Sequence, residues 1–403
     1  MSYSLKNLPP KGERPSVPVK ARWIIALIVL SVSGMIICYL AGVAPGALAF
    51  WIISFGGAFL FWIAALTCRL LILLLQHIAA NSWDEQRERW ILKETRKSRR
   101  ALQILSVMSI TGHPESDDIA PSLDALIVNP AIMNTDRDRR GNEDVRHSRL
   151  PDDDTDIAAI IYRIFFRLLQ LSGLQQLPAN NPVSVLLNCT TSLTESQVRE
   201  LWLEAWKECE YPHPVSFECG EGLAFVERWL DTRIQERNVL LVISLQVAPE
   251  VTADSGEAAS ALLLGNRMTQ HILSPHALLH RPDSSLPDEL EASMAQAASN
   301  VPLGKEEEVS HLWLAGLKGD LYQSALKGPA FFPVEHISTS DVIHQDNTLG
   351  YAGSASSWGA LASAALVAIR TQDPQMVIAA SPTEDILWST LITPVKEEQE
   401  SMT

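Results

Sequence analysis

The stretch Val239-Leu240-Leu241-Val242-Ile243-Ser244-Leu245 is an almost unbroken apolar run. Such a run is typical of a strand that is buried on both faces of a sheet. Upstream of it, apolar residues recur at helical spacing from Gly222 to Arg237, and Val215-Ser216-Phe217 reads as a short strand before that helix. Strands and helices therefore alternate, which predicts a layered α/β domain whose helices cover a largely buried sheet.

The same alternation extends towards the N-terminus. The patterns predict a helix from Ile157 to Leu171, a strand from Val183 to Leu187 and a helix from Leu193 to Glu208. Residues 134–154 are polar and rich in mixed charge, which predicts a mobile loop that a protease would cut. We therefore expect the α/β domain to begin at about residue 155.

Three further segments lie downstream in a fixed order. Ser255-Gly256-Glu257-Ala258-Ala259 precedes an apolar strand, and His311 to Gly316 forms another strand before Gly319-Asp320. Asp346-Asn347-Thr348-Leu349-Gly350-Tyr351-Ala352-Gly353 then forms a Gly-rich turn ahead of a helix. Together with Cys219, which lies between a strand and a helix, these segments resemble the thiolase superfamily and, within it, the β-ketoacyl synthases. The resemblance covers about residues 215–394 and implies a thiolase-like fold that is partly truncated in its N-terminal half.

The resemblance also implies roles for individual residues. Cys219 corresponds to the nucleophile, whereas Ala315 and Asn347 stand where the family has its two histidines. Neither Ala315 nor Asn347 can transfer a proton. A related branch uses one His and one Asn, and there Asn347 would act with His311 or His344. The catalytic candidates are therefore Cys219 and Asn347, both expected to be vestigial.

The neighbours of these residues support the unreactive alternative. Glu218 and Glu221 flank Cys219 with negative charge, which opposes formation of a thiolate. The small residues around Gly350 and Gly353 predict close backbone approach and close packing of the following helix, since the stretch lacks a phosphate-binding signature.

A second decisive stretch lies at the other end of the chain. No charged residue occurs between Arg22 and Arg69, and Gly42-Val43-Ala44-Pro45-Gly46 interrupts the run near its middle. About 20 apolar residues suffice for one membrane span, so the run predicts two spans joined by a turn. Both flanks are basic, which places both on the cytoplasmic side under the positive-inside rule. A charged helix is expected to start at Ser82 and to reach about Leu105.

The predicted organisation has six parts: a cytoplasmic tail at 1–22, a transmembrane hairpin at 23–76, a juxtamembrane helix and connector at 77–133, a polar loop at 134–154, the α/β domain at 155–394 and an acidic tail at 395–403. The net charge of −15 lies away from the basic membrane flanks, which argues against nucleic-acid binding. The five cysteines form no CxxC pair and the histidines match no zinc signature, so neither a metal nor another cofactor is expected.

These features lead to one functional hypothesis and two alternatives. The first is a non-catalytic synthase-like binding or assembly module in the inner membrane of a bacterium, with protein partners or a second copy of the chain as ligands. Synthase-like proteins without a full catalytic set occur near type VI secretion genes, so the resemblance implies an accessory or adaptor role in such a system. The first alternative is an acyltransferase or condensing enzyme that uses Cys219 with Asn347 at the membrane. The second is a hairpin that is itself functional through oligomerised helices, with Gly34, Gly42, Gly56 and Gly57 at close contacts.

Overall fold

The computed structural model describes residues 8–16, 19–112, 126–127, 135–143, 145–152, 154–269, 271–301 and 308–395. The chain forms two compact units, a helical unit over residues Ser4–Thr95 and an α/β unit that runs from Arg96. Most of the predicted connector and nearly all of the acidic tail lie outside the described residues.

Two long helices make up the helical unit. They are α1 (Lys20–Leu40) and α2 (Leu48–Ser98), and α2 contains one π-helical segment at Ile52–Gly57. The chain turns between them at residues 41–47, where Gly42 adopts a φ of +79°. Both helices are long and apolar enough to cross a membrane, and only 6% of each span is buried within the protein. The predicted hairpin is confirmed.

Helix α2 continues without a break through Ser82, so the separate juxtamembrane helix predicted to begin there is wrong. Neither Asn81 nor Ser82 removes a backbone donor or frees the backbone, as Pro or Gly would. The carboxylate of Asp84 accepts a hydrogen bond from Gly12 N at 2.8 Å instead of capping a new helix. At 1.5 Å per residue, α2 is about 77 Å long and extends far beyond a hydrocarbon core of about 30 Å.

The described N-terminal segment packs along the charged part of α2. Trp83 Nε1 donates to the carbonyl of Pro10 at 3.1 Å, and Arg87 Nε donates to the carbonyl of Pro9 at 2.6 Å. The residues before the first span and those after the second therefore lie side by side, which is the arrangement a hairpin with both ends on one side requires.

Close glycine contacts between the helices occur at one of the four predicted positions. A Cβ on Gly34 would lie 2.8 Å from the carbonyl oxygen of Ser54. Gly42 and Gly57 would meet no described atom within 4 Å, and Gly56 would meet only a side-chain atom of its own turn at 3.9 Å. Within this single chain these three glycines make no close contact with the neighbouring helix among the described residues, so their contact with other copies of the hairpin stays a prediction.

The α/β unit contains fourteen described strands and seven described helices. The strands are β1 (Ala101–Thr111), β2 (Thr135–Asp136), β3 (Val145–Ser148), β4 (Val183–Thr191), β5 (Val215–Glu218), β6 (Val239–Val247), β7 (Ser255–Gly256), β8 (Ala258–Gly265), β9 (Ala277–His280), β10 (Asp283–Ser285), β11 (His311–Ala315), β12 (Val342–His344), β13 (Gln375–Ala380) and β14 (Leu387–Pro394). The helices are α3 (Ile157–Leu171), α4 (Glu195–Glu208), α5 (Gly222–Thr232), α6 (Leu290–Ser299), α7 (Gly319–Ala325), α8 (Gln345–Leu349) and α9 (Ser356–Thr371).

The main sheet consists of two halves with the same topology. Its order is β12-β11-β13-β14-β9-β1-β8-β6-β4-β5, with β10 paired to β14 at the side. Counted along the chain within each half, both halves read 3-2-4-5-1. In each half the first three strands of that order are parallel and the fourth is antiparallel to them. The halves join where β1 pairs with β9.

Helices lie on both faces of this sheet. Leu240 and Val242 of β6 face the cluster that contains α5 and α9, whereas Leu241 and Ile243 face the cluster formed with α3 and α4. A third cluster packs α6 against β11, β13 and β14. Helix α9 is buried almost throughout, because its many Ala, Ser and Gly residues allow close packing, as predicted.

The N-terminal half of the α/β unit is complete, so the expected truncation and the domain start at 155 are wrong. Strand β1 occupies the centre of the sheet between β8 and β9, although the sequence predicts a helix to about Leu105. Leu102 and Ile104 are fully buried on one face of β1 and Leu105 on the other. Local periodicity does not reveal this strand because both partners lie more than 140 residues further along the chain.

Helix α3 also meets the length and apolarity of a membrane span, over Ile157–Gln176, but 44% of that window is buried. Its apolar face, including Phe165 and Leu168, packs in the core with α4. We therefore assign it to the α/β unit, as its helical pattern predicts.

The described part of the predicted mobile loop is folded. Strand β3 pairs with β2 and with β7, and Arg139 Nε lies 2.8 Å and 2.9 Å from the two carboxylate oxygens of Glu257. The side chains of Arg139 and Glu257 are 2% and 0% exposed. These contacts argue against the predicted mobility, because one buried ion pair can order a polar segment as well as apolar burial can.

Candidate functional site

Cys219 lies in the short connection between β5 and α5, and its side chain is exposed. Among the described residues no histidine forms a hydrogen bond to its Sγ. The guanidinium of Arg228 donates to its backbone carbonyl, and Glu218 pairs with Arg233 at 3.6 Å. The accessible thiol of Cys219 therefore has no hydrogen-bonded histidine in the part of the chain that the structure describes.

The residue that opens α5 is Gly222, three positions after Cys219. Gly222 adopts a φ of +49°, and a Cβ there would lie 3.3 Å from Ser357 Oγ at the start of α9 and 3.8 Å from Pro382. The starts of the two equivalent central helices thus face each other at a residue without a side chain. Ser357 Oγ is buried there and has no hydrogen-bond partner among the described residues.

A polar link holds this junction together. Trp358 Nε1 donates to Asn188 Oδ1 at 2.6 Å, and Asn188 Nδ2 donates to the carbonyl of Gly220 at 2.8 Å. Asn188, on β4, therefore ties the loop before α5 to α9. The sequence patterns gave no signal for this residue because its two partners lie 32 and 170 positions away.

Ala315 and Asn347 lie at the ends of neighbouring elements in the other half. Ala315 ends β11 and is fully buried, and Asn347 lies on α8, where its exposed amide reaches the hydroxyl of Tyr322 at 3.4 Å. Asn347 lines two cavities, of about 350 Å³ and about 230 Å³, and Cys219 lines neither. Neither of these two cavities brings Cys219 and Asn347 together.

The two candidate histidines occupy different positions. His311 begins β11, at the opposite end of that strand from Ala315, and its Nδ1 lies 2.9 Å from Ser310 Oγ. His344 ends β12 and lines both cavities with Asn347. Burial lowers the pKa of each imidazole, so both favour the neutral form. The structure thus brings His344, but not His311, to Asn347.

Asp346 is the titratable group that the sequence patterns missed. Its Oδ2 accepts a hydrogen bond from Leu317 N at 3.1 Å, in the loop after β11. Burial raises the pKa of Asp346 to about 7, against the opposing effects of the backbone N–H groups of Leu317 and Gly316, the Ser356 hydroxyl and the nearby Lys318. A carboxyl group that titrates near neutrality inside a cleft is a functional-site candidate. In the sequence, only its position next to Asn347 in the Gly-rich turn indicates that Asp346 belongs to a candidate site.

The Gly-rich turn itself has the close packing that the sequence predicts. Gly350 has a φ of +83°, and a Cβ there would lie 2.3 Å from the carbonyl oxygen of Ser255. Gly353 has a φ of +56°, and its Cβ would lie 2.4 Å from Gln246 Oε1. The turn therefore packs against β6 and β7 through its backbone, and a side chain at either position would displace it.

The remaining cysteines and histidines form no candidate centre in the described ranges. No group of three His, Cys, Asp or Glu side chains there could hold a metal ion. Burial raises the pKa of Cys189 to about 12, and burial also raises the pKa of Cys209, so both thiols stay protonated at neutral pH.

Comparison with known proteins identifies the fold. No protein-family model matches the chain, and no curated protein matches it. Among solved structures, the ishigamide ketosynthase/chain length factor is similar, with 13% sequence identity and a TM-score of 0.51 over 73% of this chain and 100% of that chain. The oxazolomycin ketosynthase domain from Streptomyces albus is 10% identical, with a TM-score of 0.47 over 73% of this chain and 96% of that one.

The α/β unit therefore has a thiolase-like fold of the ketosynthase kind. The predicted fold class is confirmed, and its two complete halves extend over the whole length of the matched ketosynthase/chain length factor. In this chain that fold follows two helices of membrane-spanning length.

Proposed function

We propose that this protein is a membrane-anchored, non-catalytic ketosynthase-like module that binds protein partners or a second copy of itself. The observation that carries the proposal is that Gly222, which has no side chain, opens the central helix α5 where it meets α9. In the fold that the chain resembles, a nucleophilic cysteine opens this helix. Nucleophilic catalysis requires an activated nucleophile, and a glycine supplies none.

The surroundings of Cys219 support the same proposal. Acyl transfer from a thioester requires a thiolate within reach of a base and of donors for the developing oxyanion. Cys219 is exposed, stands between Glu218 and Glu221, and has no histidine partner among the described residues. Asn347 lines cavities in which Cys219 has no part.

The test is acylation of the full chain, purified in detergent and incubated with malonyl and hexanoyl thioesters of coenzyme A. We expect intact-mass spectrometry to show no stoichiometric acyl adduct on Cys219. Iodoacetamide should alkylate the same residue, because its thiol is exposed, and this control shows that access does not limit the reaction. An acyl adduct that forms on the native chain and is absent from Cys219→Ser would contradict the non-catalytic role and favour the acyltransferase alternative.

The cellular role that we propose is that of an accessory or adaptor protein in a type VI secretion system at the bacterial inner membrane, with the α/β unit in the cytoplasm. This assignment follows from the resemblance to synthase-like proteins found near such genes. Deletion of the gene should then reduce type VI secretion, and both the native chain and Cys219→Ser should restore it. Unchanged secretion after deletion would remove this assignment, and failure of Cys219→Ser alone would contradict the non-catalytic role.

A further inference from the structure

The cavity at the C-terminal ends of β11 and β12 has an apolar floor and a polar mouth. Its volume is about 350 Å³, within the range of small-molecule sites. Leu314 and Leu317 form apolar parts of its wall, and the rings of Tyr322 and His344 lie 6.0 Å apart beside it. The other lining residues are Lys318, Gly319, Gln323, Asp346 and Asn347.

Hydrogen-bond donors outnumber acceptors at the mouth. Lys318 supplies an ammonium group, and Gln323 and Asn347 each supply an amide NH₂ group. In the part of the chain that the structure describes, neither the Lys318 nor the Gln323 side chain has a hydrogen bond or ion pair, and the amide of Asn347 has one long contact of 3.4 Å. These donors are free to bind an acceptor that enters the cavity.

The charge of the mouth is set by Lys318. Its Nζ lies 3.4 Å from the centroid of the Tyr351 ring, which holds the ammonium group in place by a cation–π contact. The acidic group that lines the cavity is Asp346, whose pKa is raised to about 7 by burial and whose carboxyl already accepts the N–H of Leu317. With Asp346 protonated, the cavity carries a net positive charge.

We propose that this cavity binds a small monocarboxylate, with its carboxylate on Lys318, Gln323 and Asn347 and its apolar body on Leu314 and Leu317. An anion is favoured over a cation because Lys318 carries a positive charge and the amides of Gln323 and Asn347 can turn their NH₂ groups towards a bound carboxylate. An organic anion is favoured over inorganic phosphate because the wall below the donors is apolar. The site is separate from Cys219 and does not depend on whether that thiol reacts.

The experiment measures binding to the full chain in detergent by ligand-observed NMR, with probes of one size and different charge. Benzoate should bind, whereas benzyl alcohol and benzylamine should bind at least tenfold more weakly, and inorganic phosphate should not compete. Equal binding of benzoate and benzyl alcohol, or displacement of benzoate by phosphate, would overturn the proposal.

Variants locate the site. Lys318→Gln should weaken benzoate binding by roughly tenfold or more, since hydrogen bonds to charged groups are among the stronger ones. Lys327→Gln changes an exposed lysine after α7 that does not line the cavity, and it should leave binding unchanged. Both residues are exposed, so neither variant should affect folding. Benzoate binding that survives Lys318→Gln unchanged would contradict the assignment.

The pH dependence gives an independent readout. Asp346 faces Lys318 and Tyr351, and His344 and Tyr322 complete the titratable groups of the cavity wall. As the pH rises through 7, Asp346 ionises and repels the bound carboxylate. Binding should weaken several-fold between pH 6 and pH 8 in the native chain and stay constant in Asp346→Asn. A native chain without this dependence would exclude the proposed arrangement.

Discussion

At the scale of single residues, two adjacent polar side chains of the Gly-rich turn lie in different surroundings. Asn347 is the residue that the resemblance indicates in this turn, and its exposed side chain donates to the hydroxyl of Tyr322 at 3.4 Å. The neighbouring Asp346 is half-buried, and its carboxylate accepts a hydrogen bond from the loop after β11. Which of two adjacent polar residues points inwards depends on tertiary packing, which residue spacing does not report.

Asp346 makes the stability of the protein depend on pH. Burial raises its pKa to about 7 in the folded state, whereas its ordinary value is 3.8. A carboxyl group whose pKa is raised on folding contributes most to the free energy of unfolding below its ordinary pKa. This contribution is lost as the pH rises through 7. Thermal unfolding should therefore show that Asp346→Asn raises Tm more at pH 8 than at pH 5.5.

Asp341→Asn is the matched control for this measurement. The pKa of Asp341 is lowered, chiefly by its hydrogen bond to Ser338, so this carboxyl is ionised at both pH values. The variant should change Tm by the same amount at pH 5.5 and pH 8. An equal change for Asp346→Asn would show that Asp346 does not titrate near neutrality.

At the scale of elements, the sequence predicted most strands and helices downstream of residue 155 and failed where pairing is distant. Strands such as β6 are visible because they are continuous apolar runs. Strand β1 follows directly after a long charged helix, and its pairing with β8 and β9 is specified by residues far along the chain. The anchor of the segment at 135–152 is equally hard to recognise from the sequence, because it is one arginine among many charged residues.

Removal of Arg139 should unfold or loosen that segment. Glu257 is completely buried, and Arg139 also donates to the carbonyls of Leu150 and Asp152. Breaking a buried ion pair from one side leaves an uncompensated charge, which costs about 3–5 kcal/mol. Arg139→Gln should lower the free energy of unfolding by about that amount and expose residues 135–152 to brief proteolysis, which should not cut the native chain there.

Arg137→Gln provides the control for this variant. Arg137 pairs with Glu143 at the surface, with side chains 62% and 70% exposed, and such pairs contribute about 0–1 kcal/mol. It should leave both stability and protease resistance near the native level. Rapid cleavage of the native chain within 135–152 would instead show that this segment is a mobile loop, as its polar sequence predicts.

At the scale of the whole molecule, the helical hairpin can be predicted from the sequence more easily than the α/β unit. The absence of charge between Arg22 and Arg69 was sufficient to predict the hairpin, because a membrane-spanning helix is recognised by its length and its lack of polar residues. The duplicated α/β topology was visible only through its second half, where the Gly-rich turn carries the resemblance. Its first half is complete but has no comparably specific motif.

The hairpin predicts the side of the membrane on which the chain ends. The basic residues before α1 and in the charged part of α2 favour the cytoplasm for both flanks. The hydrogen bonds from Trp83 and Arg87 to the carbonyls of Pro10 and Pro9 require these flanks to lie on one side. Green fluorescent protein fused after Thr403 should therefore fluoresce, and alkaline phosphatase inserted between Gly42 and Gly46 should be active. The reciprocal fusions should be inactive, and an active phosphatase after Thr403 would exclude a hairpin with both ends in the cytoplasm.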